Sequence, residues 1–278
     1  MIRTFGRTGS TLLMQILGTG KQVCMERQYP FEQRYLTYVY NMSRMIGASP
    51  SPESDWNNDV LFQSKSPFIG CLPYGQIDAF DKDALSNRCF FSLWTEFSIA
   101  MRKTQGIAMD TPALYAEKVP HQVAERANSV LSAKNLFLLR DPRDEMVSIK
   151  SFNKKRGFNS FGWLDNDSDI SYARKICKIR RKFLQNLISF EANERHMYIR
   201  YEDLILDGEN QVDRLSDWLN QSFCFKQATS DKRIQEIHMT SNTPGASVGR
   251  WKKELGRDVL AIFSKELGTE LGELGYTV

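Results

Sequence analysis

Ile2-Arg3-Thr4-Phe5-Gly6-Arg7-Thr8-Gly9-Ser10-Thr11-Leu12-Leu13-Met14-Gln15-Ile16-Leu17 is the stretch whose reading decides the fold. A short apolar start, Ile2 to Phe5, meets a glycine-containing turn and then a second apolar run, the order strand, tight turn, helix. The same order returns at Asn135-Leu136-Phe137-Leu138-Leu139-Arg140-Asp141-Pro142. There the continuous apolar run is of the kind buried on both faces of a parallel sheet. Pro142 suits the first turn of a helix and Asp141 its N-cap, which predicts a helix over Met146 to Phe152 carrying Ser148. Strands alternating with helices predict an α/β fold with a parallel sheet flanked by helices.

Outward from these two units the pattern is mostly helical. Mixed three and four spacing of apolar residues predicts a helix from Phe31 to Ile46, broken over Ser49 to Asp59, and a second from Leu85 to Met101 followed by a loop over Gly106 to Pro112. Tyr115 to Val119 and Met197 to Arg200 read as short strands. Gly157 to Asp169 reads as a loop and Ser171 to Phe190 as a basic helix. Helices are expected over Asn210 to Leu219 and Asp231 to His238, a loop over Thr240 to Gly249, and a helix from Arg250 onward. No repeat, low-complexity tract or clean linker interrupts the chain, so a single domain over 1–278 is expected.

Composition excludes several classes. The 278 residues are 41% hydrophobic and 25% charged, ordinary globular values, and the net charge of +4 is too small for a general nucleic-acid binder. The five cysteines are odd in number, widely spaced and without a CxxC pair, which indicates neither a disulfide framework nor a zinc site. No segment approaches the roughly 18 consecutive apolar residues of a membrane helix, and the glycine turn lies too near Met1 to leave room for a signal peptide. A cytoplasmic protein with no membrane partner is expected.

A strand-to-helix turn exposes backbone N–H groups at the positive end of the helix dipole, so Arg7-Thr8-Gly9-Ser10-Thr11 is a candidate phosphate cradle. It is not a Walker A loop, since no Lys precedes the Ser or Thr, and this disfavours a nucleotide kinase. Taken alone, the turn is equally an ordinary connection capped by Ser10 or Thr11.

Four segments in order are more specific. RTGST resembles the 5′-phosphosulfate loop of sulfotransferases that use 3′-phosphoadenosine 5′-phosphosulfate (PAPS). FLLRDPRDEMVS, from Phe137, resembles that family's 3′-phosphate segment, Tyr198 to Leu204 its strand-plus-YEDL segment, and Ser247-Val248-Gly249-Arg250-Trp251-Lys252 its C-terminal nucleotide loop. The resemblance implies a P-loop nucleotide-kinase-like sulfotransferase fold and a soluble, bacterial-type enzyme acting on a small-molecule metabolite or natural product. Glycan and protein sulfotransferases are the alternative. It implies that Arg7 contacts the sulfuryl and bridging oxygen, and that Thr8, Gly9, Ser10, Thr11 and Leu12 line the 5′-phosphate. Arg140, Ser148, Arg250 and Lys252 would hold the 3′-phosphate, with Tyr201 and Trp251 near the adenine or its phosphates. A planar guanidinium suits this task because it binds phosphate oxygens in a bidentate manner. Position 12 departs from the family, being Leu where many cytosolic members carry Trp.

Less charge on a sulfuryl than on a phosphoryl group removes much of the need for magnesium, and no metal-ligand cluster is apparent in the sequence. The acceptor needs a base. His121, in Glu117-Lys118-Val119-Pro120-His121, is out of register with the histidine of cytosolic members. Other branches place a Glu after the first helix, where Glu26 is preferred here over Glu32, and Lys118 resembles the lysine of an EKxP segment. Aromatics at Phe31 to Tyr40, Phe62 to Tyr74 and Phe90 to Trp94 are expected either to build an acceptor pocket or to be core. Glu53, Asp55 and Asp59 suggest a polar or cationic acceptor. Three other readings remain at this point: a P-loop phosphotransferase, a nucleotide-binding module without catalysis, and a structural α/β interaction protein.

Overall fold

The structure is a computed structural model in which residues 1–46, 81–189 and 193–278 are described. In chain order the elements begin β1 (Ile2–Arg3), α1 (Ser10–Gly18), β2 (Val23–Cys24), α2 (Tyr35–Ile46) and α3 (Lys82–Thr104). They continue β3 (Leu114–Tyr115), α4 (His121–Val130), β4 (Asn135–Leu139), α5 (Pro142–Arg156), α6 (Asp169–Ile188) and β5 (His196–Arg200). The remainder is α7 (Tyr201–Leu206), α8 (Gly208–Leu219), α9 (Phe225–Ala228), α10 (Lys232–His238), a 3₁₀ turn at Gly245–Ser247, α11 (Trp251–Glu254) and α12 (Arg257–Glu273).

Packing divides the chain into two compact units. One comprises Ile2–Lys21, Arg27–Phe31 and Lys134–Val278; the other comprises Met1, Gln22–Glu26 and Glu32–Ala133. The first holds a parallel sheet of order β1-β4-β5, with Ile2 opposite Leu136 and Leu138 opposite Ile199. Leu136, Leu138 and Leu139 of the central strand are buried, as a run covered on both faces must be. Leu139 joins Met146, Val147 and Ile149 of α5, Ile176 and Leu184 of α6, and Phe263 and Leu267 of α12 in one core. The second unit packs α2, α3 and α4 through Leu36, Val39, Phe90, Val123 and Ala127, and pairs β2 with β3 in parallel.

Local chemistry explains where elements start and stop. Asp141 accepts the Arg143 N–H at 2.9 Å as the N-cap of α5, Pro142 occupies the first turn, and Gly157 ends the helix at φ 77°. The helix starts at the expected cap and continues beyond Phe152 to Arg156. β1 stops at Arg3 rather than Phe5, because the Thr4 hydroxyl donates to the Leu138 carbonyl at 3.0 Å and the Thr8 hydroxyl takes the Phe5 carbonyl at 2.8 Å. The strand expected over Tyr115 to Val119 is cut to Leu114–Tyr115, since Glu117 turns inward to accept the Leu36 N–H at 3.0 Å at the start of α2. The C-terminal helix is interrupted between α11 and α12.

Cys89, Cys177 and Cys224 are free thiols, and burial pushes the Cys177 thiol up to about 12. Among the described residues no helix is long and apolar enough to cross a membrane.

Candidate functional site

All four motif segments lie in the first unit, and their side chains interlock. Gly9, at φ 94°, precedes α1 and provides no side-chain cap, so the first N–H groups of that helix are left to a ligand or solvent. A Cβ built at Gly9 would fall 2.3 Å from the Tyr201 ring, so the backbone can approach Tyr201 only because residue 9 is glycine. Gly9→Ala is expected to cost at least about 1–2 kcal/mol from the left-handed backbone alone, with Tyr201 displaced in addition; a melting curve of the unliganded protein reads it. An unchanged midpoint would contradict the close approach.

Arg140 ends the β4 run and is 5% exposed. Its Nη1 donates to the Arg7 carbonyl and its Nη2 to the Ser247 carbonyl, each at 2.8 Å, while its guanidinium lies 4.4 Å from the Tyr201 ring centroid. The Tyr201 hydroxyl meets Ser247 Oγ at 2.8 Å. One arginine thus clamps the first segment to the fourth over the ring of the third. The Nε of Arg140 is buried with no hydrogen-bond partner among the described residues.

Arg7 sits at φ 65°, a left-handed conformation that costs a non-glycine residue about 1–3 kcal/mol and that surrounding contacts must hold. Its Nε donates to Ser148 Oγ at 3.2 Å, and Phe152 lies beneath the guanidinium at 4.1 Å. Burial, then the neighbouring Arg140 charge, depress the Arg7 guanidinium to about 10. Neither Arg7 nor Arg140 has a carboxylate within salt-bridge distance among the described residues. Two adjacent, largely desolvated cations at an uncapped helix start form a site whose electrostatics call for an anion.

The fourth segment is held from below. Asp144, 1% exposed, accepts the Gly249 N–H at 2.6 Å and the Trp251 N–H at 2.9 Å, and burial raises its carboxyl above the ordinary range. Trp251 lies 3.7 Å from Arg143, which is itself paired with Asp141 at 2.8 Å. Arg250 donates to Ser151 Oγ at 2.9 Å and Thr240 Oγ1 at 3.0 Å and pairs with Glu254 at 2.7 Å. Glu202 accepts the Asp141 N–H at 2.9 Å and the Tyr276 hydroxyl at 3.0 Å, tying the YEDL segment to the α5 start and the C-terminal tail.

The site residues expected from sequence separate by unit. Arg7, Gly9, Arg140, Ser148, Tyr201, Ser247, Gly249, Arg250 and Trp251 are brought together in the first. Ser10, Thr11 and Leu12 open α1, while Thr8 is buried with its hydroxyl toward Thr4 and Phe5. Val248 follows the 3₁₀ turn, and Lys252 is exposed on α11. Glu26, Lys118 and His121 belong to the second unit, where Lys118 pairs with Glu32 at 3.6 Å and exposed His121 with Glu125 at 3.0 Å. Among the aromatics there, Tyr35 stacks on Phe97, and Trp94 and Tyr115 meet edge to face. Phe62 to Tyr74, with Glu53, Asp55 and Asp59, lie outside the described residues. Sequence reading missed Asp144, Glu202 and His238, which is at hydrogen-bond distance from Arg7.

The family model described as "Sulfotransferase domain" matches residues 1–275. Among solved structures, the chain is similar to the sulfotransferase domain from the curacin biosynthetic pathway, at 19% identity and a TM-score of 0.54 over 100% of this chain and 97% of that one. It is also similar to the sulfotransferase domain of the Synechococcus PCC 7002 olefin synthase, at 16% identity and a TM-score of 0.49 over 95% and 92%. No curated protein matches the chain.

Proposed function

Because the chain belongs to the sulfotransferase-domain family, we propose that it moves a sulfuryl group from PAPS to a hydroxyl or amine of a soluble small-molecule acceptor, releasing adenosine 3′,5′-bisphosphate (PAP). The observation that carries the donor half of this reading is the Arg7 and Arg140 pair, two cations without a carboxylate partner among the described residues, beside the uncapped start of α1. The buried Nε of Arg140 and the Gly9 backbone pressed to Tyr201 also fit a bound phosphate group.

In this reading the N–H groups of Thr8 to Leu12 hold the 5′-phosphate. Arg140, Ser148, Arg250 and Lys252 face the 3′-phosphate, with Tyr201, Ser247, Val248, Gly249 and Trp251 around the nucleoside. When bound, PAPS supplies a sulfuryl group on a good phosphate leaving group. Arg7 places positive charge where negative charge collects on the departing oxygen, which stabilises the transition state more than the ground state. Glu26 is proposed to take the acceptor's proton, with His121 the alternative, and Lys118 to neutralise oxygen charge. We read residues 1–278 as a single sulfotransferase domain working in the cytoplasm without nucleic acid, membrane or metal.

Thermal stabilisation by PAP, set against ATP with magnesium, tests the donor site. A ligand that binds only the folded state at about a hundred times its Kd adds about 2.7 kcal/mol to apparent stability. A PAP-selective rise in midpoint that Arg140→Ala weakens is expected. A rise with ATP and magnesium alone would favour a phosphotransferase, and no rise with either would remove the nucleotide reading altogether.

A further inference from the structure

We propose that His238 is a positioning residue for Arg7, aiming its guanidinium at the group to be transferred. The proposal rests on the reading of Arg7 as the cation that meets that group. His238 is the last residue of α10, so its carbonyl has no partner within the helix. Arg7 Nη2 donates to that carbonyl at 2.6 Å, and Arg7 Nη1 lies 3.3 Å from the Nδ1 of the same residue. A single residue therefore holds both terminal nitrogens of the guanidinium. Ser148 Oγ holds the Nε, and Phe152 supports the plane from one side.

Guanidinium has five N–H donors and no acceptor, so the contact to Nδ1 requires Nδ1 to accept. That assigns the neutral Nε2–H tautomer to His238. The ring plane is set independently, being parallel to Phe152 within 6° at 6.2 Å and tilted against Tyr29 at 5.1 Å. Three of the five donors of Arg7 are thus committed, and one on each terminal nitrogen is left. Without such contacts, repulsion from Arg140 and Arg250 and the rotamer freedom of the side chain would let the cation swing away from its task. Asn at 238 preserves an acceptor near the Nδ1 position, whereas Phe keeps the stacking and removes the acceptor.

The test uses the full chain at about pH 8, where an ordinary imidazole is neutral. Nitrogen-15 spectra of the wild type report the His238 tautomer, and the Arg7 Nε–H resonance, assigned by its loss in Arg7→Lys, reports how firmly the guanidinium is held. Expected are an unprotonated Nδ1, an Arg7 resonance protected in the wild type and His238→Asn, and its loss in His238→Phe. Single-turnover transfer should fall on the order of a hundredfold in His238→Phe and largely return in His238→Asn, the scale of a misplaced catalytic group. The midpoint rise induced by PAP should persist in both variants. A protonated Nδ1 in the wild type, or an Arg7 resonance unchanged in His238→Phe, overturns the proposal. If PAP fails to stabilise the wild type, the sulfotransferase reading falls instead, while the two resonances still decide whether His238 holds Arg7.

Discussion

Arg7→Ala is expected to slow sulfuryl transfer by about 10² to 10³, the effect of removing one preorganised charge from a site where charge develops. The protein invests in this residue. Its backbone is held in the left-handed region, its guanidinium is depressed to about 10 by burial and by Arg140, and no carboxylate among the described residues compensates it. A cation kept under such conditions interacts more strongly with an anion than a solvated one, because less screening separates them. Its pKa is lowered in the folded state, so folding the charged form carries a cost at neutral pH that is relieved only as pH rises past about 10. Removing Arg7 removes that cost along with three hydrogen bonds, and the unliganded midpoint should move little. PAP should still bind, since the backbone amides of the cradle and Arg140 remain. Arg7→Lys should recover only a small part of the rate, because an ammonium cannot satisfy Ser148 and both acceptors of His238 with one planar fork. A single-turnover rate for Arg7→Ala within threefold of wild type would show that the cation has no role in the chemical step.

Where local signals suffice, the sequence was legible. Asn135 to Leu139 reads as a buried parallel strand from its apolar run, and Asp141-Pro142 marks the start of the next helix. The four motif segments were visible because each carries its own pattern of residue types. What holds those segments together was not. Tyr201 is close to Gly9 only in three dimensions, and nothing near either residue announces the contact. Arg140 reads from sequence as a phosphate ligand; that its terminal nitrogens also reach the Arg7 and Ser247 carbonyls is a contact that side-chain identity cannot reveal. Asp144 looks like one more acid favouring a helix N-terminus; that it binds two N–H groups of the fourth segment depends on a fold bringing residues more than a hundred positions apart together. His238 is a lone histidine at a helix end, for which a surface role is the default reading. β1 and β3 came out shorter than expected because hydroxyl and carboxylate side chains, Thr4, Thr8 and Glu117, take hydrogen bonds that end the strands.

The largest expected loss of stability lies beneath the site, at Glu145→Ala. Glu145, on α5, is 1% exposed and accepts from Arg180 of α6, with Nε at 3.0 Å and a shorter contact from Nη2. Arg180 is 8% exposed, and its guanidinium lies 3.4 Å from the Phe5 ring centroid. Truncating the carboxylate leaves that cation desolvated and without its partner, which costs about 3–5 kcal/mol. For a chain of this size that corresponds to a fall in midpoint of roughly 6 to 20 °C. The pair's net contribution is a separate quantity, because the Coulomb attraction is largely offset by the cost of removing both ions from water. Replacing both residues together, as Glu145→Leu with Arg180→Met, should therefore recover most of the lost stability. Thermal denaturation of the two variants decides between these accounts. A double replacement as unstable as Glu145→Ala would mean that the geometry of the ion pair itself, rather than an abandoned charge, holds α6 against the helix that carries Ser148.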